Sequence, residues 1–151
     1  MNTVYISFGS NIGYREKAIE DALYLINQNG MKITRMSNIF ETEPYGYTKQ
    51  PIFLNGVVEV ETELSCRNVL ERLLYIEKKI GRVRKFKWGP RIIDLDIIFF
   101  NDALYNEEDL KVPHPDMQNR DFVLKPLCDI CPDFIHPVFK KTIKELLDDL
   151  K

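Results

Sequence analysis

Apolar positions along the 151-residue chain change period several times, and each change marks an element. Residues 4–8 form a short apolar strand that ends in Gly9-Ser10-Asn11. From about residue 14 to 29, Ala18, Ile19, Ala22, Leu23 and Ile26 recur at spacings of three and four, which predicts an amphipathic helix. Gly30 follows at the usual C′ position. Residues 31–40 read as a strand. Residues 41–51 read as a loop of eleven residues with two prolines and one glycine, a length usually reserved for function. Residues 53–61 read as a strand. Ser65 is placed to cap the next helix, whose stripe is Cys66, Val69, Leu70, Leu73, Ile76 and Ile80. Gly81 lies just past its end and Glu77 at the edge of its buried face. A strand at 92–100, a weak hairpin over 103–112 and helices near 119–131 and 140–150 complete the pattern. This order predicts one α+β domain over residues 1–151, a ferredoxin-like βαββαβ sandwich with additional C-terminal helices.

Composition adds little to that outline. Hydrophobic residues make up 44% and charged residues 29%, ordinary for a globular chain and unlike a disordered one. At this size folding buries roughly 68–70% of the unfolded surface, so no disulfide or metal staple is needed. No apolar run approaches a membrane span, and the first residues lack the basic start of a signal peptide. Cys66, Cys128 and Cys131 form an odd set that suits a reducing compartment. A cytoplasmic monomer is expected. Cys128-Asp-Ile-Cys131 has the spacing of a redox pair or half a zinc site. It also lies on a helical stripe with Val123, Leu124 and Leu127, and core packing explains both thiols.

Charge is informative only by position. The total is 21 Lys and Arg against 23 Asp and Glu, a net of −2. Residues 78–91, KKIGRVRKFKWGPR, hold seven cations and no acid, leaving 14 cations against 23 acids elsewhere. A solvated helix face would account for such a run. This one leaves the helix at Gly81 and is broken by Phe86, Trp88, Gly89 and Pro90. Cations and aromatics in a loop suit phosphate plus a flat ring.

The next segment, IIDLDIIFF at 92–100, places Asp94, Asp96, Ile98 and Phe100 on one face. Ile93, Leu95, Ile97 and Phe99 fall on the other. The two carboxylates stand roughly 6–7 Å apart along the strand. Two like charges so placed need compensation, from Arg91 or from a divalent metal. Oxygen donors at this spacing suit Mg²⁺ shared with substrate phosphates; a structural Asp–Arg network is the alternative. Cations beside paired carboxylates describe phosphoryl or nucleotidyl transfer. Neither a Walker A sequence nor GxGxxG is present. A two-metal nuclease fits the same residues, and an RNA-binding module fits the expected fold. The acidic remainder of the chain argues against a nucleic-acid track.

KWGPRIIDLDII at 87–98 resembles the signature of the 6-hydroxymethyl-7,8-dihydropterin pyrophosphokinases of folate biosynthesis. The resemblance extends to FGSNIG at 8–13, TEPYG at 42–46, FLN at 53–55, GRVR at 81–84 and VPHPDMQNRDFVL at 112–124. It implies transfer of the β,γ-diphosphate of ATP to the hydroxymethyl oxygen of the pterin, with release of AMP. It implies that Asp94 and Asp96 bind two Mg²⁺ ions brought with ATP. It also implies that Arg82, Arg84 and Lys87 lie on a catalytic loop that closes over ATP. Lys87 stands where many members carry Arg, which keeps the charge without the bidentate fork. Trp88 would cover the site, and Arg91, His114 and Arg120 would hold the triphosphate. Glu77 and Ile97 would lie near the nucleotide. Phe53 and Phe122 would sandwich the pterin ring and Asn55 would pair with its edge. Thr42, Glu43 and Tyr45 would form the rim. The implied partners are ATP and the pterin, with no nucleic acid and no membrane.

Overall fold

The computed structural model describes residues 1–43, 49–81 and 92–150. The chain runs β1 (Asn2–Ser10), α1 (Arg15–Gln28), β2 (Met31–Met36), β3 (Phe40–Thr42), β4 (Phe53–Thr62), α2 (Cys66–Ile80) and β5 (Asp94–Phe100). A small hairpin, β6 (Tyr105–Glu107) and β7 (Leu110–Val112), follows, then a 3-10 turn (Met117–Asn119), α3 (Asp121–Ile130) and α4 (Ile143–Leu150). The main sheet has the order β2-β4-β1-β5, with β3 also paired to β4. Every pairing in it is antiparallel. This is a mixed α/β architecture, with helices on both faces of an antiparallel sheet.

The alternation of side chains divides the core in two. Val4, Ile6 and Phe8 of β1 join Val58 and Val60 of β4 beneath α1 and α2. Tyr5 and Val57 point the other way, into the layer formed by Val123, Leu124 and Leu127 of α3 and Ile143 and Leu146 of α4. The predicted stripes of α1 and α2 face the core: Ala18, Ile19, Ala22, Ile26, Cys66, Val69, Leu73 and Ile76 are buried, and Leu23, Leu70 and Ile80 are half-buried against them. Ser65 caps α2 as its position suggests, its hydroxyl accepting from the Asn68 N–H at 3.2 Å. Gly56 serves the helix-side core. A Cβ there would stand 2.3 Å from the Phe8 ring, so the missing side chain is what lets that ring cross the neighbouring strand. Cys131 and Cys128 pack with the α3–α4 layer, and neither is in a disulfide. No helix among the described residues is long and apolar enough to cross a membrane.

Two strands differ from their sequence pattern. The single strand expected over 31–40 is two pieces on the same partner. Ser37 causes the break: its backbone N–H donates to the Val57 carbonyl and its hydroxyl accepts from the Val57 N–H, both at 2.9 Å. The side chain takes a ladder bond, which serine does readily. β3 then runs to Thr42, into the segment expected to be loop. In β5, the register against β1 shifts between Tyr5 and Ile6, so Ile98 has no residue opposite. This bulge reverses the alternation beyond it. Phe99 therefore packs on the α3 side and Phe100 on the helix side of α1 and α2, the opposite of the simple alternation.

His136 fixes the turn before α4. It is 3% exposed, and its Nδ1 accepts from the N–H groups of Val138 and Phe139 at 3.1 and 3.2 Å. Burial lowers its pKa, so the folded chain holds it neutral. The unfolded chain binds a proton near the ordinary value of about 6.5; this part of the stability is complete above that pH and is lost as the pH falls through it. The unfolding free energy should therefore decline from pH 7 to pH 5. His136→Asn, whose side-chain oxygen can accept from the same donors, should decline less. Denaturant titrations at both pH values check this, and equal slopes would contradict it.

Candidate active site

The sheet face beneath α3 opens into a cleft of about 620 Å³, its mouth included. Its floor follows from the position of β1 between β4 and β5. The register sets Asn55, Gly9 and Asp94 in one row across three strands, and Val57, Ser7 and Asp96 in the next. Ser7, Gly9, Asn55, Asp94 and Asp96 all line the cleft. Alternation had already put the two aspartates on one face, and the fold turns that face toward the cavity.

The walls come from two places. Thr42 and Glu43 at the end of β3, with Phe53 at the start of β4, form one side. Arg120, Phe122 and Val123 at the start of α3 form the other. Asn55 is nearly buried and its Nδ2 donates to the Thr42 hydroxyl. The Arg120 guanidinium stands 5.5 Å from the centre of the Phe122 ring, and its Nε lies 3.2 Å from the Asp116 carboxylate. Asp116 also accepts from the Asn119 side chain at 2.8 Å. Arg120 is thus held over an aromatic face, which favours a guanidinium. Behind the wall, Asn11 donates to Gln50 at 2.7 Å and to the Pro51 carbonyl at 3.0 Å, tying the end of β1 to the approach to β4.

Three further expected residues do not line this cleft. Glu77 is 4% exposed, and its Oε2 accepts from the Leu95 N–H at 2.7 Å. The acceptor for the peptide between the two aspartates therefore comes from α2. Ile97 packs into the core beneath α1 and α2, on the opposite side of the sheet from the cleft. His114 is brought to β5 by the bulge, its N–H donating to the Ile98 carbonyl at 3.1 Å. Its Nδ1 accepts from the Asp116 N–H at 3.2 Å. Burial, and after it the nearby Arg120 charge, push its pKa down to about 4 against the pull of Asp116 and Asp94. The imidazole is therefore neutral at pH 7, with Nε2 as its donor.

Tyr45, Arg82, Arg84, Lys87, Trp88 and Arg91 lie outside the described residues. The lining residues that pattern reading passed over are Ser7, Phe8, Gly9, Ile98 and Val123. Ser7 and Gly9 did leave a trace, being the small positions on one face of an otherwise apolar strand. Their place on the cleft floor depends on strands far away in sequence.

Among the described residues, the cleft combines the Phe53 and Phe122 rings, the Asn55 carboxamide, the Asp94 and Asp96 carboxylates, Glu43 on the wall and the Arg120 guanidinium. Among the described residues no group of three or more His, Cys, Asp or Glu could hold a metal. Two oxygen-donor carboxylates on one strand face, lining a shared cavity, instead fit a hard cation that draws its remaining ligands from a substrate.

A profile of the family described as 7,8-dihydro-6-hydroxymethylpterin-pyrophosphokinase matches residues 5–132. The chain belongs to this family. It is 47% identical over 131 residues to the 2-amino-4-hydroxy-6-hydroxymethyldihydropteridine pyrophosphokinase of Bacillus subtilis, covering 86% of this chain and 78% of that one. The corresponding enzyme of Aquifex aeolicus is 39% identical over 145 residues, covering 96% and 90%. The folic acid synthesis protein of Schizosaccharomyces pombe is 43% identical over 147 residues, covering 97% of this chain and 20% of that protein. The chain thus spans about a fifth of that longer relative. A crystal structure of an HPPK-DHPS in complex with substrates aligns with a TM-score of 0.78 at 20% identity, over 98% of this chain and 43% of that one. At that identity the likeness is one of fold, and the family's fold is the one seen here.

The Glu77 bond to β5 gives a direct stability test. Glu77→Ala leaves the buried Leu95 N–H without its acceptor, which should cost roughly 1–3 kcal/mol. Glu77→Gln keeps an acceptor oxygen and should lose less. Equal losses for the two variants in chemical denaturation would show that the bond to Leu95 is not what Glu77 contributes.

Proposed function

We propose that the chain transfers the β,γ-diphosphate of ATP to the hydroxymethyl group of 6-hydroxymethyl-7,8-dihydropterin. The observation that carries this is the first row of the cleft floor. Asn55 and Asp94 stand two strands apart, about 9–10 Å at ordinary sheet spacing. A bicyclic pterin with a one-carbon arm is of that length. Its amide edge would pair with Asn55, its ring would lie against Phe53 and Phe122, and its hydroxymethyl oxygen would reach the carboxylate pair.

In the reaction, the hydroxymethyl oxygen bonds to the β-phosphorus. The bond from that phosphorus to the α,β-bridging oxygen breaks, AMP departs with the bridging oxygen, and the hydroxyl proton passes to solvent. Asp94 and Asp96 would hold two Mg²⁺ ions brought with ATP, whose charge would offset that of the phosphate oxygens. Arg120 would carry phosphate contact on the α3 side, and neutral His114 would offer Nε2–H beside it. Arg82, Arg84, Lys87 and Arg91 would supply the remaining positive charge. Trp88 would cover the site, and Tyr45 would belong to its rim with Thr42 and Glu43. Glu77 would act through β5, by holding the peptide between the aspartates. We read the sheet as a ferredoxin-like βαββαβ arrangement, supported by the order β2-β4-β1-β5 with α1 and α2 beneath one face. The reading has ATP and the pterin as its partners, a monomer as its unit and the cytoplasm as its setting.

Incubated with Mg·ATP and 6-hydroxymethyl-7,8-dihydropterin, the protein should release one AMP per pterin diphosphate formed. ADP as the nucleotide product, or turnover that does not depend on the pterin, would overturn the reading. Asp96→Ala should keep the wild-type melting temperature and lose on the order of 10²-fold or more in kcat, the scale of a lost electrostatic contact in the transition state. Wild-type turnover in that variant would refute the metal role.

A further inference from the structure

Gly9 occupies the centre of the cleft floor, between Asn55 on β4 and Asp94 on β5. Glycine weakens a strand interior and often marks a close approach. The backbone does not demand it here, because the glycines with positive φ among the described residues are Gly13, Gly30 and Gly81. The space above it does. A Cβ on residue 9 would stand 2.6 Å from Asn55 Oδ1 and 3.6 Å from the Phe53 ring. The Asn55 carboxamide is also held from its other end, Nδ2 donating to the Thr42 hydroxyl. With Nδ2 committed to Thr42, the oxygen is turned over Gly9.

We propose that Gly9 is a positioning residue for the acceptor substrate: its bare Cα lets the Asn55 oxygen lie over the cleft floor, where it accepts from the N–H edge of the ring. The proposal rests on the pyrophosphokinase reading above and adds a residue and a direction to it. A dihydropterin offers ring and exocyclic N–H donors on the edge away from its hydroxymethyl arm, so the edge needs an acceptor. Asn55 can present either its oxygen or its amide group, and only the first satisfies those donors. A methyl group at position 9 would strike the end of a movable side chain, not backbone. The fold should therefore accept it by turning the carboxamide, and the loss should fall on the pterin alone. Glycine at 9 also keeps the floor flat between Asn55 and Asp94, so a planar ring can bridge them.

The test is a double-mutant cycle of Gly9→Ala and Asn55→Ala, read by fluorescence titration with 6-hydroxymethylpterin in the presence of a non-hydrolysable ATP analogue. Gly9→Ala should keep the wild-type melting temperature and the wild-type affinity for the ATP analogue, and weaken pterin binding about tenfold, the scale of one lost hydrogen bond to a buried group. Asn55→Ala should weaken pterin binding at least as much. The double variant should bind no more weakly than Asn55→Ala, because the two changes remove the same interaction. Wild-type pterin affinity in Gly9→Ala would overturn the proposal. So would losses that multiply in the double variant, or equal losses for pterin and nucleotide. AMP release by the wild type, measured alongside, separates the two levels. If the wild type neither binds the pterin nor releases AMP, the parent reading falls and takes this one with it. If it does both while the cycle is additive, only the role of Gly9 fails.

Discussion

The constraint on which the site depends is the register of β1 between β4 and β5. Antiparallel pairing on both sides lines up Asn55, Gly9 and Asp94, then Val57, Ser7 and Asp96. A slip of one residue in β1 would turn Ser7 and Gly9 into the helix-side core and push Ile6 and Phe8 into the cleft. The apolar partition that stabilises the sheet is therefore the same partition that builds the cleft floor. Phe8, almost fully buried over Gly56, locks it from one side. Tyr5, whose hydroxyl donates to Glu59 at 2.7 Å, locks it from the other.

Around that register the chain adds supports from distant segments. Glu77 reaches from α2 to the Leu95 N–H. The bulge at Ile98 frees a carbonyl that accepts from His114. Asn11 ties the end of β1 to Pro51, and so to the strand that carries Phe53 and Asn55. Each of these bonds fixes a stretch of backbone next to a residue of the cleft. The carboxylate pair on β5 and Phe53 on β4 are thus mounted on the two strands that pair with β1. Rigid mounting of this kind keeps the cost of positioning out of the reaction step.

Much of this was legible in the sequence, and the boundary of legibility is physical. Asp94 and Asp96 were found by strand alternation, a local rule. The stripes of α1 and α2 and the Ser65 cap were found for the same reason. Cys128 and Cys131 read as core thiols from periodicity, and they pack that way. The bulge at Ile98 was not visible, because it exists only against β1, and it reversed Phe99 and Phe100. The break at Ser37 was hidden too, since it depends on Val57 twenty residues away. Family resemblance brought Thr42, Glu43, Phe53, Asn55, Arg120 and Phe122 to notice, and these do share the cleft with the aspartates. It also named Ile97 and Glu77, which are not among the residues lining the cleft. Ile97 faces the helix-side core, and Glu77 serves the strand.

In the proposed reaction one row of the sheet would measure the acceptor, with hydrogen bonding at Asn55 and charge at Asp94. A crystal structure with 6-hydroxymethylpterin and a non-hydrolysable ATP analogue tests this most directly. The ring should lie against Phe53 and Phe122, with its N–H edge on Asn55 Oδ1 and its hydroxymethyl oxygen on the Asp94–Asp96 side above Gly9. A pterin bound with its hydroxymethyl arm toward Asn55, or bound outside this cleft, would contradict it.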